Sequence, residues 1–220
     1  MTSDAFEARL GHRFSDAALL KVALTHKSAG APHNERLEFL GDAVLGYVIG
    51  HVLFTEKPGD REDGLTLMRA SLVRRECLAE IASELDLGAL VRLGPAAASS
   101  GGHRRASILA DTLEAVIGAV HEDGGLEAAR QVIERLWRPR LEEVSTEELK
   151  DPKTLLQEWL QGRGLPLPEY TVARTEGAEH NKLYEVHCRV ANQEDYSVGI
   201  DASRKSAEKA AARAMLERIS

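Results

Sequence analysis

Two stretches of this chain set carboxylates at helical spacing among apolar side chains, an arrangement suited to holding a divalent cation. Glu35, Glu38 and Asp42 fall in Asn34-Glu35-Arg36-Leu37-Glu38-Phe39-Leu40-Gly41-Asp42-Ala43-Val44-Leu45. Asp111 and Glu114 fall in Ile108-Leu109-Ala110-Asp111-Thr112-Leu113-Glu114-Ala115-Val116-Ile117. On a helix Glu35, Glu38 and Asp42 lie within about 60° of one another, with Leu45 and Phe39 on the same arc, and Asp111 and Glu114 repeat the arrangement at i, i+3. Carboxylates in apolar surroundings are costly, and Glu38 and Asp42, like charges one turn apart, oppose helix formation by about 0.2–0.5 kcal/mol. Something cationic should offset that cost. Hard divalent ions take carboxylate oxygens and need no His or Cys ligand. A di-iron bundle site is the nearest chemical rival; it wants Glu-x-x-His, but Gly41 follows Glu38 and Ile117 follows Glu114 at that spacing.

The elements that must position these groups are helices. Ser15 or Asp16 caps an amphipathic run ending near Leu24, and a long apolar helix covers 35–54. Glu56-Lys57-Pro58-Gly59-Asp60 breaks it, and helical periodicity resumes over 65–85. Residues 96–102 read as a flexible loop leading into the second acidic helix, and a further helix covers about 126–142. Residues 1–143 are therefore expected to form an all-α domain, with 144–150 as a charged linker. Asp151-Pro152 then supplies an N-cap and a first-position proline for a helix through about Gln161. Three strand-like runs follow, at 170–174, 183–190 and 196–200, with Asn192 and Gln193 in the turn before the third. Ser203 caps an Ala-rich final helix. The order αβββα makes residues 151–220 a small α+β domain.

Composition sets limits on function. The chain has 220 residues, 43% apolar and 29% charged, with a formal net charge of −7. No run approaches the roughly 20 uninterrupted apolar residues of a membrane span, and the start lacks the basic segment of a secretory signal, so a cytoplasmic protein with no membrane partner is expected. Cys77 and Cys188 are isolated, which suits reduced thiols. Residues 151–220 hold 10 Lys and Arg against 11 Asp and Glu, so bulk charge does not announce a nucleic-acid binder. Local clustering does: Arg204, Lys205 and Lys209 sit in the first turns of the last helix, where the dipole also attracts phosphate.

With these residues in view, the chain resembles bacterial ribonuclease III along nearly its whole length. Residues 35–42 look like that family's signature and 109–115 like its second acidic helix; Ala23-Leu24-Thr25-His26-Lys27-Ser28 and Met68-Arg69-Ala70 also match. Residues 151–220 resemble a double-stranded-RNA-binding domain, with Arg204 where the family often has Lys. The resemblance implies a homodimeric endoribonuclease that uses Mg²⁺, with Mn²⁺ as a substitute and no organic cofactor, to cut both strands of duplex RNA into 5′-phosphate and 3′-hydroxyl ends. Ribosomal-RNA precursors and some messenger and transfer RNA precursors are its implied substrates. It implies Glu38, Asp111 and Glu114 as metal ligands, Asp42 acting through water, and Glu35 and Glu62 as auxiliary acids. It also implies Phe39 at the dimer interface, and Thr154, Gln157, Glu158, His180, Arg204, Lys205 and Lys209 on the RNA. The alternative is a duplex-RNA-binding regulator that has lost catalysis, against which stands the complete set Glu38, Asp42, Asp111 and Glu114.

Overall fold

The computed structural model describes residues 2–177, 182–191, 193 and 195–219, apart from the side chains of Glu147 and Glu148. His180 and Asn192 lie outside the described residues. The chain divides into two units, residues 1–146 and 147–220, each with its own core.

The first unit is helical: α1 (Ser3–Leu10), α2 (Ala17–Ala23), α3 (Glu35–Glu56), α4 (Glu62–Leu72), α5 (Arg75–Glu84), α6 (Pro95–Ser99) and α7 (Ala106–Glu143), with short 3-10 turns between some of them. Asp16 is the cap of α2, accepting from the Ala18 N–H at 2.8 Å. From α7, Asp123 accepts the backbone N–H groups of Ser15 and Asp16 and bonds His12 Nε2 at 2.8 Å, pinning the entrance of α2.

The centre of the unit is the crossing of α3 on α7. By length and hydropathy α3 could cross a membrane, but its apolar face, including Leu45, Ile49 and Leu53, is buried in this core. Two glycines set how closely the helices approach. A Cβ on Gly41 would stand 1.7 Å from the Glu114 carbonyl oxygen, and one on Gly118 would stand 2.2 Å from that of Leu37. Only bare backbone fits there, and the contact lies beside both acidic stretches.

Three sequence expectations change. The helix expected over 65–85 is two helices, because the chain is extended at Arg74; the Leu72 carbonyl at the end of α4 accepts from the buried Trp137 Nε1 at 2.9 Å. The segment read as a loop at 96–102 begins as helix: Pro95 starts α6 at a position where its missing N–H costs nothing, and alanines carry it on. The helix expected at 126–142 is continuous with the second acidic helix except at Gly125, whose φ of 74° breaks the run.

In the second unit, α8 (Thr146–Leu149) lies mostly within it and precedes α9 (Pro152–Gln161), β1 (Glu169–Glu176), β2 (Leu183–Arg189), β3 (Ser197–Asp201) and α10 (Arg204–Ile219). Asp151 caps α9 through the Lys153 N–H at 3.0 Å, and the Ser203 hydroxyl accepts from the Ser206 N–H at 3.1 Å at the start of α10. The sheet is antiparallel in the order β1-β2-β3. Leu156, Leu160, Val186, Cys188, Ala207, Ala211 and Met215 form the core. Gly199 lets α10 lie close on β3, since a Cβ there would be 2.1 Å from the Ala207 carbonyl oxygen.

Candidate metal centre and nucleic-acid face

The close crossing at Gly41 brings Glu38 of α3 against Asp111 and Glu114 of α7, so that one carboxylate oxygen from each lies within 4.8 Å of the other two. All three side chains are half-buried, and no side-chain cation bonds to any of them among the described residues. The electrostatic consequence is largest at Glu114, whose pKa is pushed up to about 8 by burial and then by the charges of Asp42, Asp111 and Glu38. Burial and Asp111 raise that of Glu38. Burial also raises that of Asp111, against the opposing pull of Arg75, His26 and Lys27. A half-buried group of oxygen donors that repel one another and lack a protein cation fits a hard divalent ion in donor type and in charge.

The other acids stand apart from this group. Asp42 is exposed, but its charge is the largest acting on Glu114. Glu35 is exposed and accepts from Lys27 Nζ at 2.8 Å, which lowers its pKa. Glu62 opens α4, where Thr66 Oγ1 donates to it at 3.0 Å. The arc that carries Glu35, Glu38 and Asp42 runs from core to solvent: Leu45 on it is buried, whereas Phe39 is 80% exposed. Sequence reasoning missed Gly41 and Gly118, whose role depends on a backbone contact between distant segments. It also missed Arg75, since no local pattern links the first residue of α5 to position 111.

In the second unit, Leu156 and Leu160 face the core and leave Thr154, Gln157 and Glu158 on the outer side of α9. Lys150 Nζ donates to Glu158 at 2.9 Å. Ion pairs tie the starts of α9 and α10 together: Lys209 with Asp151 at 2.9 Å and Lys153 with Glu208 at 2.6 Å. Arg204 also bonds Glu208, at 2.9 Å. Of the three basic positions singled out from the sequence, Arg204 and Lys209 are therefore already paired. Lys205 is exposed and has no side-chain partner among the described residues.

Comparison with known proteins agrees with this division. Residues 16–141 match the family described as ribonuclease-III-like, and residues 152–219 match the double-stranded RNA binding motif. Ribonuclease 3 of Bordetella pertussis is 52% identical over 99% of this chain and 85% of its own length, and that of Bordetella avium is 51% identical over 99% and 87%. A nuclease-domain structure of ribonuclease III from Campylobacter jejuni, described by its flexibility in a region involved in dimer formation, is 43% identical with a TM-score of 0.61. It covers 63% of this chain and 97% of its own. Dicer from Pichia stipitis is 26% identical with a TM-score of 0.50, covering 92% and 94%. With both family matches in chain order and more than half of the aligned positions shared with a curated ribonuclease 3 over nearly the full length, the chain belongs to the ribonuclease III family and is an endoribonuclease of double-stranded RNA.

Proposed function

We propose that Glu38, Asp111 and Glu114 hold a Mg²⁺ ion, with Mn²⁺ as a substitute, and that Asp42 acts beside them through water. The observation that carries this reading is the meeting of three carboxylates within 4.8 Å at a crossing where only glycine fits. When bound, the ion supplies Lewis-acid stabilisation at the scissile phosphate and a lowered pKa for the attacking water. The chain's own groups then have distinct tasks. Glu38 and the α7 pair fix the site from two helices, so a shift of either helix opens it. Exposed Asp42 accepts a hydrogen bond from the attacking water and orients it. Attack of that water on phosphorus in line with the P–O3′ bond breaks this bond and releases the 3′ oxygen as a hydroxyl, which leaves 5′-phosphate and 3′-hydroxyl ends.

One cluster serves one strand, so cutting both strands calls for two copies. Phe39 stands out from α3 beside a groove of about 830 Å³ whose walls include Leu19, Val22 and Leu40, and a second copy on this face places two clusters on one duplex. The second unit supplies affinity through Thr154, Gln157 and Glu158 at 2′-hydroxyls and through Arg204, Lys205 and Lys209 at phosphates. Precursors of ribosomal RNA, and some of messenger and transfer RNA, are the substrates this reading favours. The buried free thiols Cys77 and Cys188 suit a cytoplasmic setting.

The test incubates the purified chain with a long RNA duplex in Mg²⁺ or in chelator, with Glu114→Gln alongside. Cleavage is expected only for the unsubstituted chain with Mg²⁺. Duplex binding without cleavage in Mg²⁺ would make the chain a silent RNA-binding regulator instead.

A further inference from the structure

Arg69 belongs to a matched motif that the metal centre does not use. It lies on α4 with Glu62 and Thr66, and with the capping residue Val73, at spacings that place all four along one side of the helix. That side and α3 enclose a cleft of about 470 Å³, lined by Asp42, Gly46 and Tyr47 on one wall and Thr66, Arg69 and Val73 on the other. The cleft borders the metal centre, because Asp42, whose charge acts on Glu114, lines it.

The stem of the arginine lies against α3. A Cβ on Gly50 would lie 3.6 Å from Arg69 Cδ, an ordinary packing distance, so the aliphatic stem runs alongside α3 there, and the space above Gly46 is open. The guanidinium is exposed and has no hydrogen bond or ion pair among the described residues. Glu62, two turns away on the same side, is engaged by Thr66. Three other arginines of this unit are paired, Arg130 with Glu127 and Glu134, Arg138 with Glu56, and Arg140 with Glu84, whereas Arg75 acts on Asp111 and Glu114 from the start of α5. Lys27, which acts on the centre from another side, is held by Glu35.

Charge balance gives the arginine a task. Glu38, Asp42, Asp111 and Glu114 carry four negative charges when ionised, and one divalent ion neutralises two. An RNA backbone entering such a site meets net repulsion unless a fixed cation stands at its border. An arginine presents a planar fork that matches two phosphate oxygens at once.

We propose that the cleft between α3 and α4 is a phosphate subsite of the cleavage site, in which Arg69 holds a backbone phosphate flanking the scissile bond. This rests on the metal-centre reading for its position. The phosphate binds opposite Gly46, and Asp42 separates it from the phosphate being cut. Arg69 is a substrate-positioning residue in this account, and the step it assists is alignment of the strand before attack.

The test uses the full-length chain with Arg69→Ala, Arg69→Gln and Arg69→Lys, measuring cleavage of a long RNA duplex in Mg²⁺ between about 50 and 200 mM salt. Arg69→Ala is expected to raise KM about tenfold and to reduce the slope of log affinity against log salt by about one, with the Mg²⁺ half-saturation unchanged. Arg69→Lys keeps the slope and recovers part of the loss, because it restores charge without the fork. Arg69→Gln retains the stem over Gly50 and behaves like alanine if charge is what matters. Unchanged KM and slope would overturn the proposal. So would a loss in all three variants that follows the melting temperature, or one that follows the sedimentation of a dimer. Repeating the binding measurement in a Glu114→Gln background separates the two readings: failure of the metal centre abolishes cleavage there without moving the salt slope, whereas Arg69 moves the slope whether or not the strand is cut.

Discussion

Glu114 bears the strongest electrostatic strain in the first unit, with its pKa raised to about 8 by burial and three neighbouring acids. A carboxylate in that position contributes to function only when a cation relieves it, so replacing it by an uncharged isostere should spare the fold. We expect Glu114→Gln to lower kcat about a thousandfold, with duplex affinity within about twofold of the parent, as measured by single-turnover cleavage and by binding in Ca²⁺. Glu35 offers the contrast. It is exposed and already neutralised by Lys27 at 2.8 Å, outside the group that meets at 4.8 Å. Glu35→Gln should therefore lower kcat less than about tenfold, while Glu38→Gln should resemble Glu114→Gln. Equal losses at positions 35 and 38 would place Glu35 among the ligands.

Between elements, the decisive contact is the one at which α3 and α7 touch through Gly41 and Gly118. A methyl group on Gly41 would have to displace the Glu114 backbone, so Gly41→Ala should cost about 3 kcal/mol and move Glu38 away from its partners. Denaturant melts read the first effect, and a weaker Mg²⁺ dependence of cleavage reads the second. The join between α2 and α7 gives a pH-dependent test. Backbone N–H groups of Asp16 and Ser15, with His12, hold the Asp123 carboxyl below the usual carboxylate range. A depressed folded-state pKa stabilises above the unfolded value, about 3.9, and the gain is lost as pH falls through the folded one. Asp123→Asn should therefore lower the melting temperature at pH 7, and the gap should close as pH falls below the unfolded carboxylate range and through the depressed folded value. Local signals such as these caps were legible in the sequence: Asp16, Asp151 with Pro152, and Ser203 all do what their types and positions suggest. The glycine crossing was not, because nothing near Gly41 announces that residue 114 will lie across it. The break at Gly125 and the early start of helix at Pro95 were missed for a related reason, since weak local preferences yielded to the path of the surrounding chain.

At the scale of the whole molecule, the proposed division gives the chemistry to the acidic unit and the grip to the second unit. The carboxylate motifs and the αβββα order made two domains and an acidic cluster readable from residue types, and the resemblance to ribonuclease III gave each domain its task. The outward pose of Phe39 and the prior pairing of Arg204 and Lys209 were not, because both depend on which neighbours the fold provides. The pairing has a consequence for affinity. A cation already bonded to an acid releases fewer counterions when it meets a phosphate than a free one does, so unpaired Lys205 should carry more of the salt-dependent term than Lys209. Lys205→Ala should reduce the slope of log affinity against log salt by about one, and Lys209→Ala by less. Removing residues 147–220 extends the same logic. The remaining unit keeps its carboxylates and its own core, and should still cut duplex RNA at about 50 mM salt while failing at about 200 mM, where the lost contacts can no longer be replaced by long-range attraction. Complete loss of cleavage at low salt, with an intact melting transition, would mean that the second unit does more than grip. It would then have to place the duplex for the cut itself, and a saturating excess of RNA would fail to restore the rate.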